Sequence, residues 1–342
     1  MSSKKHNLTY RGELRGLDAN AQTISFVTAH VEQKPSSLYQ IDGQTNKLTT
    51  TDLDFVASSM LRIDDQIWIA GEDGSLHTFD EKSKKAKQHK IEFPSPATAM
   101  CQLSDSRIGI VADQQLVIVS CSGKVKAAQT IELDSAATAI ASNPDGNWLA
   151  AGTSDGQVAV CQAEESEEFE LSESAQLHEG AVRSPVFEPE ELRFFSCGDD
   201  HKLLLTHARG RLEPEDRGRG NNHGDQVFAM VLAGEDRIIT GSRDKTCKSW
   251  ARAGATKPQT QAKDLVVVTH LAIAEIHKRR NLVVGCGDNS LRLFLLKDDE
   301  RIGDLLCRYD DLYTRCESML QTRDPAVRGQ ACLLYTSDAA DE

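Results

Sequence analysis

The chain has 342 residues, of which 39% are hydrophobic and 27% charged, so it has enough apolar material for an ordinary core and wholesale disorder is excluded. Its net charge of −13 argues against a protein whose main ligand is a nucleic-acid backbone or an anionic membrane surface. No apolar run is long enough to span a membrane and the first residues lack a signal-peptide stretch, so we expect a soluble, cytoplasmic protein without membrane partners.

The cysteines point to a reducing compartment. There are nine of them, scattered along the chain, and none is spaced C-x-x-C. Neither a disulfide framework nor a zinc finger is indicated, and most of the cysteines are predicted to be small core residues.

The predicted elements repeat along the chain. Each copy has a short apolar strand, a small residue, a tight polar turn and a second alternating strand. The small residue recurs every 40 to 46 residues, at Ala29, Gly71, Ala112, Gly152, Gly198, Gly241 and Gly285. Two clear strands per copy, with room for two more, predict an all-β protein: a four-stranded sheet repeated seven times as a seven-bladed β-propeller. Its inner strands are predicted near residues 13–18, 56–63, 97–103, 137–142, 181–187, 226–232 and 270–276.

The seventh copy predicts how the ring closes. It has three predicted strands, but from residue 298 the pattern becomes helical and offers no fourth strand. Residues 6–10 are strand-like and precede the first inner strand. We therefore predict that residues 6–10 pair with residues 291–296 as the missing outer strand, which would hide an edge that otherwise favours aggregation.

Residues 137–160 and 238–250 resemble WD40 repeats, and the resemblance extends over residues 5–296. In that family a His before the inner strand, a Ser or Thr on the second strand, an Asp in the next turn and a Trp on the third strand form a hydrogen-bonded brace. The sixth copy carries His223, Thr240, Asp244 and Trp250 at these positions. The resemblance therefore implies that these four residues stabilise blade six; it implies a fold and no particular function.

Other copies match the WD40 pattern in part. Asp155 and Asp288 stand three residues after Gly152 and Gly285, as Asp244 stands after Gly241. In the fifth copy, by the same count from Gly198, the residue at the Asp position is His201, although His178 is retained. These turn residues are predicted to be structural.

A helical extension is predicted for residues 298–331, after a propeller that would occupy residues 1–297. Nine apolar residues from Ile302 to Leu320 recur at steps of three and four, which is typical of an amphipathic helix. The segment DPAVRGQA from Asp324 resembles the start of the second helix of a HEAT repeat. The alternative is a single helix packed against the propeller.

The last segment, residues 332–342, has the sequence CLLYTSDAADE. It matches a translation of the adapter that transposase-based sequencing libraries leave at read ends. We therefore expect these residues to be non-native, and the natural protein to continue after Ala331.

Candidate catalytic and metal-binding motifs are weak. Residues 152–156 satisfy G-x-S-x-G, but two predicted strands flank them, whereas a nucleophile elbow joins a strand to a helix. Phosphate-binding glycine loops of the usual kinds are absent from the sequence. Cys197, His201 and His207 are close in sequence but are not expected to converge on a metal. We expect no catalytic residue, cofactor or metal.

Three charged segments are assigned to the outer strands of blades. They are a lysine run, an acidic run over residues 164–173, and the sequence RGRLEPEDRGRG from Arg209; the lysines are Lys82, Lys84, Lys85, Lys87 and Lys90. Charges there blunt exposed sheet edges, so solvation is the ordinary interpretation. The RGRG stretch could contact nucleic acid, but acidic residues interrupt it and no aromatic residues are interleaved.

The functional hypothesis is a non-catalytic scaffold that binds other proteins through the rim and loops of the propeller. A second hypothesis is a targeting or sensor module of a larger enzyme or ATP-driven regulator. A third is a nucleic-acid-associated propeller.

Overall fold

A computed structural model describes residues 9–10, 12–20, 22–29, 35–45, 47–80, 84–104, 106–163, 168–218, 220–253, 258–262, 265–276 and 279–311. Within these ranges all regular structure is β, and the strands form seven separate sheets. This confirms the predicted all-β fold and the count of seven blades.

The first half of the chain contains β1, which joins the sheet of blade seven, and blades one to three. β1 (Thr9–Tyr10) precedes the first blade. Blade one comprises β2 (Glu13–Ala19), β3 (Thr23–Ala29), β4 (Ser37–Asp42) and β5 (Leu48–Asp52). Blade two comprises β6 (Ala57–Ile63), β7 (Gln66–Gly71), β8 (Ser75–Asp80) and β9 (Lys85–Glu92). Blade three comprises β10 (Ala99–Ser104), β11 (Arg107–Ala112), β12 (Gln115–Ser120) and β13 (Lys126–Glu132).

The second half contains blades four to seven. Blade four comprises β14 (Ala137–Ser142), β15 (Trp148–Thr153), β16 (Gln157–Ala163) and β17 (Phe169–Gln176). Blade five comprises β18 (Val182–Phe187), β19 (Arg193–Gly198), β20 (Leu203–His207) and β21 (Pro214–Asp216). Blade six comprises β22 (Val227–Ala233), β23 (Arg237–Ser242), β24 (Cys247–Ala251) and β25 (Gln259–Ala262). Blade seven comprises β26 (Val268–Ile276), β27 (Arg279–Cys286), β28 (Leu291–Leu296) and β29 (Ile302–Asp311).

The core lies between the blades. The second strand of each blade is covered on both faces by its neighbours, so it consists of apolar or small residues in a row; every residue of β15 is buried. Between blades three and four, for example, Leu116 and Ile118 share a buried cluster with Leu149 and Ala151. The seven predicted inner strands are confirmed to within about two residues at each end.

The ring closes by contact between blades seven and one. The inner strand of each blade contacts the inner strands of both neighbours, including β2 with β26. Phe26 and Tyr39 of blade one stack with ring centroids 5.1 Å apart and share a buried cluster with Val283 and Leu293 of blade seven. Apolar burial therefore continues around the whole ring.

The predicted closure strand was wrong. β29, and not residues 6–10, pairs with β28 in an antiparallel ladder, and Ile302 is buried against it. β1 lies outside β29 and pairs with it in parallel, with Thr9 opposite Asp310. The hairpin after Leu296 closes a loop of only a few residues, whereas pairing with residues 6–10 would close a loop that spans almost the whole chain. The entropic cost of loop closure is therefore lower for the hairpin.

The predicted helical extension is therefore wrong over residues 302–311, which are a strand. The propeller reaches Asp311 and does not end at residue 297. Apolar residues spaced by three and four indicate only a local preference for a helix. Backbone hydrogen bonds to the otherwise unpaired edge of β28 outweigh this preference. Residues 312–342, which include the HEAT-like segment and the adapter-like tail, lie outside the described residues.

The described parts of the charged segments lie where the sequence predicted them. Lys85, Lys87 and Lys90 are on β9, the acidic run extends into β17, and residues 214–216 of the RGRG segment form β21. All three strands are the outermost of their blades. In the described part of the chain, no helix has the length and apolar character needed to cross a membrane.

Candidate functional site

The structure brings together the four residues that the WD40 resemblance assigns to blade six. Nδ1 of His223 lies 2.8 Å from the Asp244 carboxylate, and Nε2 lies 2.8 Å from the Thr240 hydroxyl. The Trp250 indole N–H donates to the same hydroxyl at 2.7 Å. The chain of contacts thus joins the turn before the inner strand to strands two and three of the sheet.

The protonation of this set follows from its surroundings. Burial lowers the pKa of His223, so its imidazole is neutral at neutral pH. Burial alone would raise the pKa of Asp244, but hydrogen bonds from His223 and Thr246 outweigh it and hold the pKa well below its usual range. Nδ1–H of His223 therefore donates to a carboxylate, and Nε2 accepts from Thr240. The polar side-chain groups of His223, Thr240, Asp244 and Trp250 therefore all have hydrogen-bond partners.

Blade five contains a set of the same kind, which corrects the sequence alignment. His178 contacts Asp200 through Nδ1 at 2.8 Å and the Ser196 hydroxyl through Nε2 at 2.8 Å. Asp200, and not His201, occupies the position of the turn aspartate. His201 follows it with a φ of 69°, as Lys245 follows Asp244 with a φ of 68°. The sequence alignment counted from Gly198 and was therefore one residue out. In the strand pairing, the residue equivalent to Gly241 is Cys197.

The turn aspartates of blades four and seven organise their own hairpins. Asp155 accepts from the Thr153 hydroxyl at 2.6 Å and the Ser135 hydroxyl at 2.7 Å, and these bonds hold its pKa at about 2. Asp288 accepts from the backbone N–H and hydroxyl of Ser290. Both carboxylates are used to satisfy local donors, as in Asx turns.

The repeat glycines Gly152, Gly241 and Gly285 lie where one blade meets the next. A Cβ atom on Gly152 would lie 2.5 Å from the Cβ of Val182, in the inner strand of blade five. On Gly241 and Gly285 it would collide with Val268 and Leu14 of the following blades. These glycines are therefore required by close approach between blades, and not by the conformation of a turn.

The catalytic and metal-binding candidates of the sequence are not brought together. Ser154 lies in the turn between strands β15 and β16, so its motif has no strand-to-helix elbow. Cys197 is buried on β19, and burial raises the pKa of its thiol, whereas His207 is exposed at the end of β20. Among the described residues, no three His, Cys, Asp or Glu side chains are grouped so that they could hold a metal ion.

A ring of side chains that the sequence did not reveal surrounds one mouth of the central channel. Six of the seven inner strands carry a β-bulge at the same place near their start, where one residue is skipped in the pairing with the second strand. Bulges commonly re-aim a side chain. The bulged residues, with Thr98 at the equivalent place in blade three, form the mouth ring: Arg15, Ser58, Thr98, Thr138, Arg183, Phe228 and Thr269.

Part of the mouth ring seals the blades against each other. The Thr98 hydroxyl lies 2.9 Å from the carbonyl oxygen of Ala137 in blade four, and the Thr138 hydroxyl contacts the carbonyl oxygen of Val182 in blade five. The Thr269 hydroxyl donates to the carbonyl of Gly285 in its own blade at 3.2 Å. In blades two to four and seven the mouth ring therefore consists of short hydroxyl side chains.

Arg183 and Phe228 form the largest feature of the mouth ring. The Arg183 guanidinium makes two parallel bonds to Asp199, of 2.7 and 2.8 Å, and lies 5.4 Å from the centre of the Phe228 ring. Neither side chain is fully buried. Because Asp199 fixes the guanidinium, a partner that contacts it does not have to order it first.

The loops at this mouth are acidic on blades two to four. The described loops there, residues 53–56, 72–74, 93–98, 113–114, 133–136 and 154–156, contain no lysine or arginine. They carry the exposed carboxylates of Asp54, Glu72, Asp113 and Asp134. From the side of blade one, Arg15 lies 3.4 Å from Glu72.

One part of the sequence matches a known family. Residues 129–161 match the family model described as WD domain, G-beta repeat. This stretch runs from the outer strand of blade three through three strands of blade four, so one sequence repeat spans two neighbouring blades. The fold is a seven-bladed WD40-repeat β-propeller. Propellers of this family are usually non-catalytic.

Solved structures resemble this WD40 propeller over most of its length. A chain in the crystal structure of the mitotic checkpoint complex has a TM-score of 0.69 at 15% identity, with 86% of this chain and 90% of that chain covered. The WD40 β-propeller domain of Doa1 has a TM-score of 0.68 at 12% identity, with 86% and 97% covered. No curated protein sequence matches this one. At these identities the likeness concerns the fold alone.

Proposed function

We propose that this propeller is a non-catalytic scaffold that binds a protein partner at the mouth ring. The observation that carries the proposal is the Arg183–Phe228 pair, since Arg and aromatic residues dominate binding energy at protein interfaces. The pair is accessible and is held in place by Asp199. A propeller chain within the mitotic checkpoint complex has the same fold, which supports assembly with other proteins.

The charge of the mouth suggests what the partner presents. The carboxylates of blades two to four favour a basic segment there, while Arg183 and Phe228 suit an apolar or acidic side chain on the opposite side. Complementary charges increase the rate of association and select the partner. Binding at this surface is therefore expected to weaken as salt is added.

The test compares two double variants in quantitative affinity purification from an extract of the source cells. Arg183→Ala with Phe228→Ala removes the mouth pair, and Arg211→Ala with Leu171→Ala removes exposed residues of matching chemistry from other surfaces. We expect at least one partner to be depleted about tenfold or more by the mouth variant and retained by the control. Recovery of the same proteins by both variants would contradict the proposal.

A further inference from the structure

The outer strand of blade two has a charge opposite to that of the protein. The chain as a whole carries a net charge of −13, yet Lys85, Lys87 and Lys90 are all exposed on β9. This strand borders a groove of about 380 Å³ whose opposite side is the loop after β12 in blade three. The groove lies at the periphery of the ring, away from the channel mouth.

One face of β9 supplies the positive side of the groove. Lys85, Lys87 and His89 alternate along the strand, so their side chains share a face, and all three line the groove. Asp80, which stands opposite Lys85 in the strand pairing, also lines the groove, and neither lysine forms an ion pair with a described residue. Across the groove, Gly123 and Val125 contribute to the lining, and Lys124 lies between them in the sequence.

The floor of the groove is rigid. The indole of Trp68 stacks on the His89 ring with centroids 5.5 Å apart, and Nε2 of His89 lies 2.9 Å from the Thr78 hydroxyl. Burial lowers the pKa of His89, and the positive charge of Lys87 lowers it further. An anion in the groove would raise the pKa of His89, because a nearby negative charge favours the protonated imidazole.

We propose that this groove binds an acidic segment of a protein partner. Glutamate or aspartate side chains would pair with Lys85 and Lys87. β9 is also the outermost strand of its sheet, so backbone groups on its free edge are available to an extended peptide. The site goes beyond the proposed function, since it shares no residue with the mouth ring.

A peptide fits the groove better than a nucleic acid does. Single-stranded nucleic acids bind on exposed aromatic faces, and Trp68 is only 3% exposed beneath His89. The net charge of the chain also repels a long polyanion, whereas a short acidic segment meets mainly the local lysines.

The experiment measures binding of a fluorescein-labelled peptide of alternating glutamate and alanine at low ionic strength. Fluorescence anisotropy gives the affinity, and Trp68 emission reports occupancy, since the other two tryptophans lie in blades four and six. Lys85→Glu with Lys87→Glu is expected to weaken binding about tenfold or more. Lys47→Glu with Lys297→Glu, the matched control, changes the net charge equally and is expected to leave the affinity within about twofold.

Several results would overturn the proposal. They are equal loss of affinity in both double variants, absence of peptide binding at low salt, equal binding of the peptide with glutamine in place of glutamate, and tighter binding of an oligo-dT strand than of the peptide. Arg183→Ala with Phe228→Ala is expected to leave peptide binding unchanged. Failure at the groove can therefore be distinguished from failure of the proposed function.

Discussion

Gly152 of blade four packs against Val182 of blade five so closely that a methyl group on the glycine would lie 2.5 Å from the valine Cβ. This contact joins the second strand of one blade to the inner strand of the next. Cores at such density cannot absorb an added methyl group without moving backbone or side chains.

Gly152→Ala is expected to lower the free energy of unfolding by about 1 to 3 kcal/mol, because either Val182 or the blade itself must shift. Urea denaturation followed by tryptophan fluorescence measures this. Gly224→Ala is the control, since the atoms nearest to its added Cβ lie at 3.8 Å. An equally small effect in both variants would show that the blades have room to separate.

Asp244→Ala is expected to cost about 1 to 3 kcal/mol of stability, because His223 Nδ1–H and the Gly224 N–H lose their acceptor. Thermal unfolding is the measurement, with the exposed Asp145→Ala as control. An unchanged melting temperature would reject the structural role. Loss of partner binding without loss of stability would instead assign Asp244 to a binding surface.

Substitutions of Asp200 and His201 test which of these two residues completes the hydrogen-bonded set around His178 in blade five. Asp200→Ala removes the acceptor of His178 and is expected to cost about 1 to 3 kcal/mol. His201→Gly is expected to change stability by less than about 0.5 kcal/mol, because relief of the left-handed backbone offsets the greater entropy of unfolded glycine. The reverse order of effects in denaturant unfolding would restore the alignment that places His201 at the brace.

Stability is expected to fall as the pH is lowered from 7 towards 4. Burial lowers the pKa of His270 to about 4 and also lowers that of His223. In this range the unfolded chain therefore binds more protons than the folded chain, and its free energy drops relative to the native state. The slope of unfolding free energy against pH should be smaller in His270→Gln than in the unsubstituted protein. An unchanged slope in this variant would mean that burial in the folded ring does not lower the pKa of His270.

Truncation distinguishes the two closures of the ring. A chain that ends at Glu300 lacks β29 and bares the edge of β28, so it is expected to melt at a lower temperature and to associate. A chain that ends at Asp311 keeps β29 and is its control. Among the described elements, deletion of residues 1–10 removes the two-residue β1, and it is expected to have a smaller effect. A larger effect of the N-terminal deletion, by calorimetry and light scattering, would favour closure by residues 6–10.

The candidate sites differ in how far the sequence predicted them. The four residues of blade six were found because they match the pattern of WD40 repeats, which places a distinctive residue type at each fixed offset. The mouth ring was not found, since a serine, three threonines, two arginines and a phenylalanine share no residue type. Six of the seven share a skipped partner in a strand ladder, and Thr98 occupies the equivalent place in blade three; only the pairing of the strands reveals this. The signal that could have found them is their position within about two residues of the start of each inner strand.

The sequence by itself determined the number of blades and the course of each inner strand. Alternation with a period of two and a repeat in the low forties are properties of each blade and its turn, so they can be read locally. Only the tertiary structure decided how blade seven is completed, which aspartate serves His178, and which side chains meet at the channel mouth. These depend on which backbone edge is free and which strand lies opposite, and such pairings join residues that the local pattern does not connect.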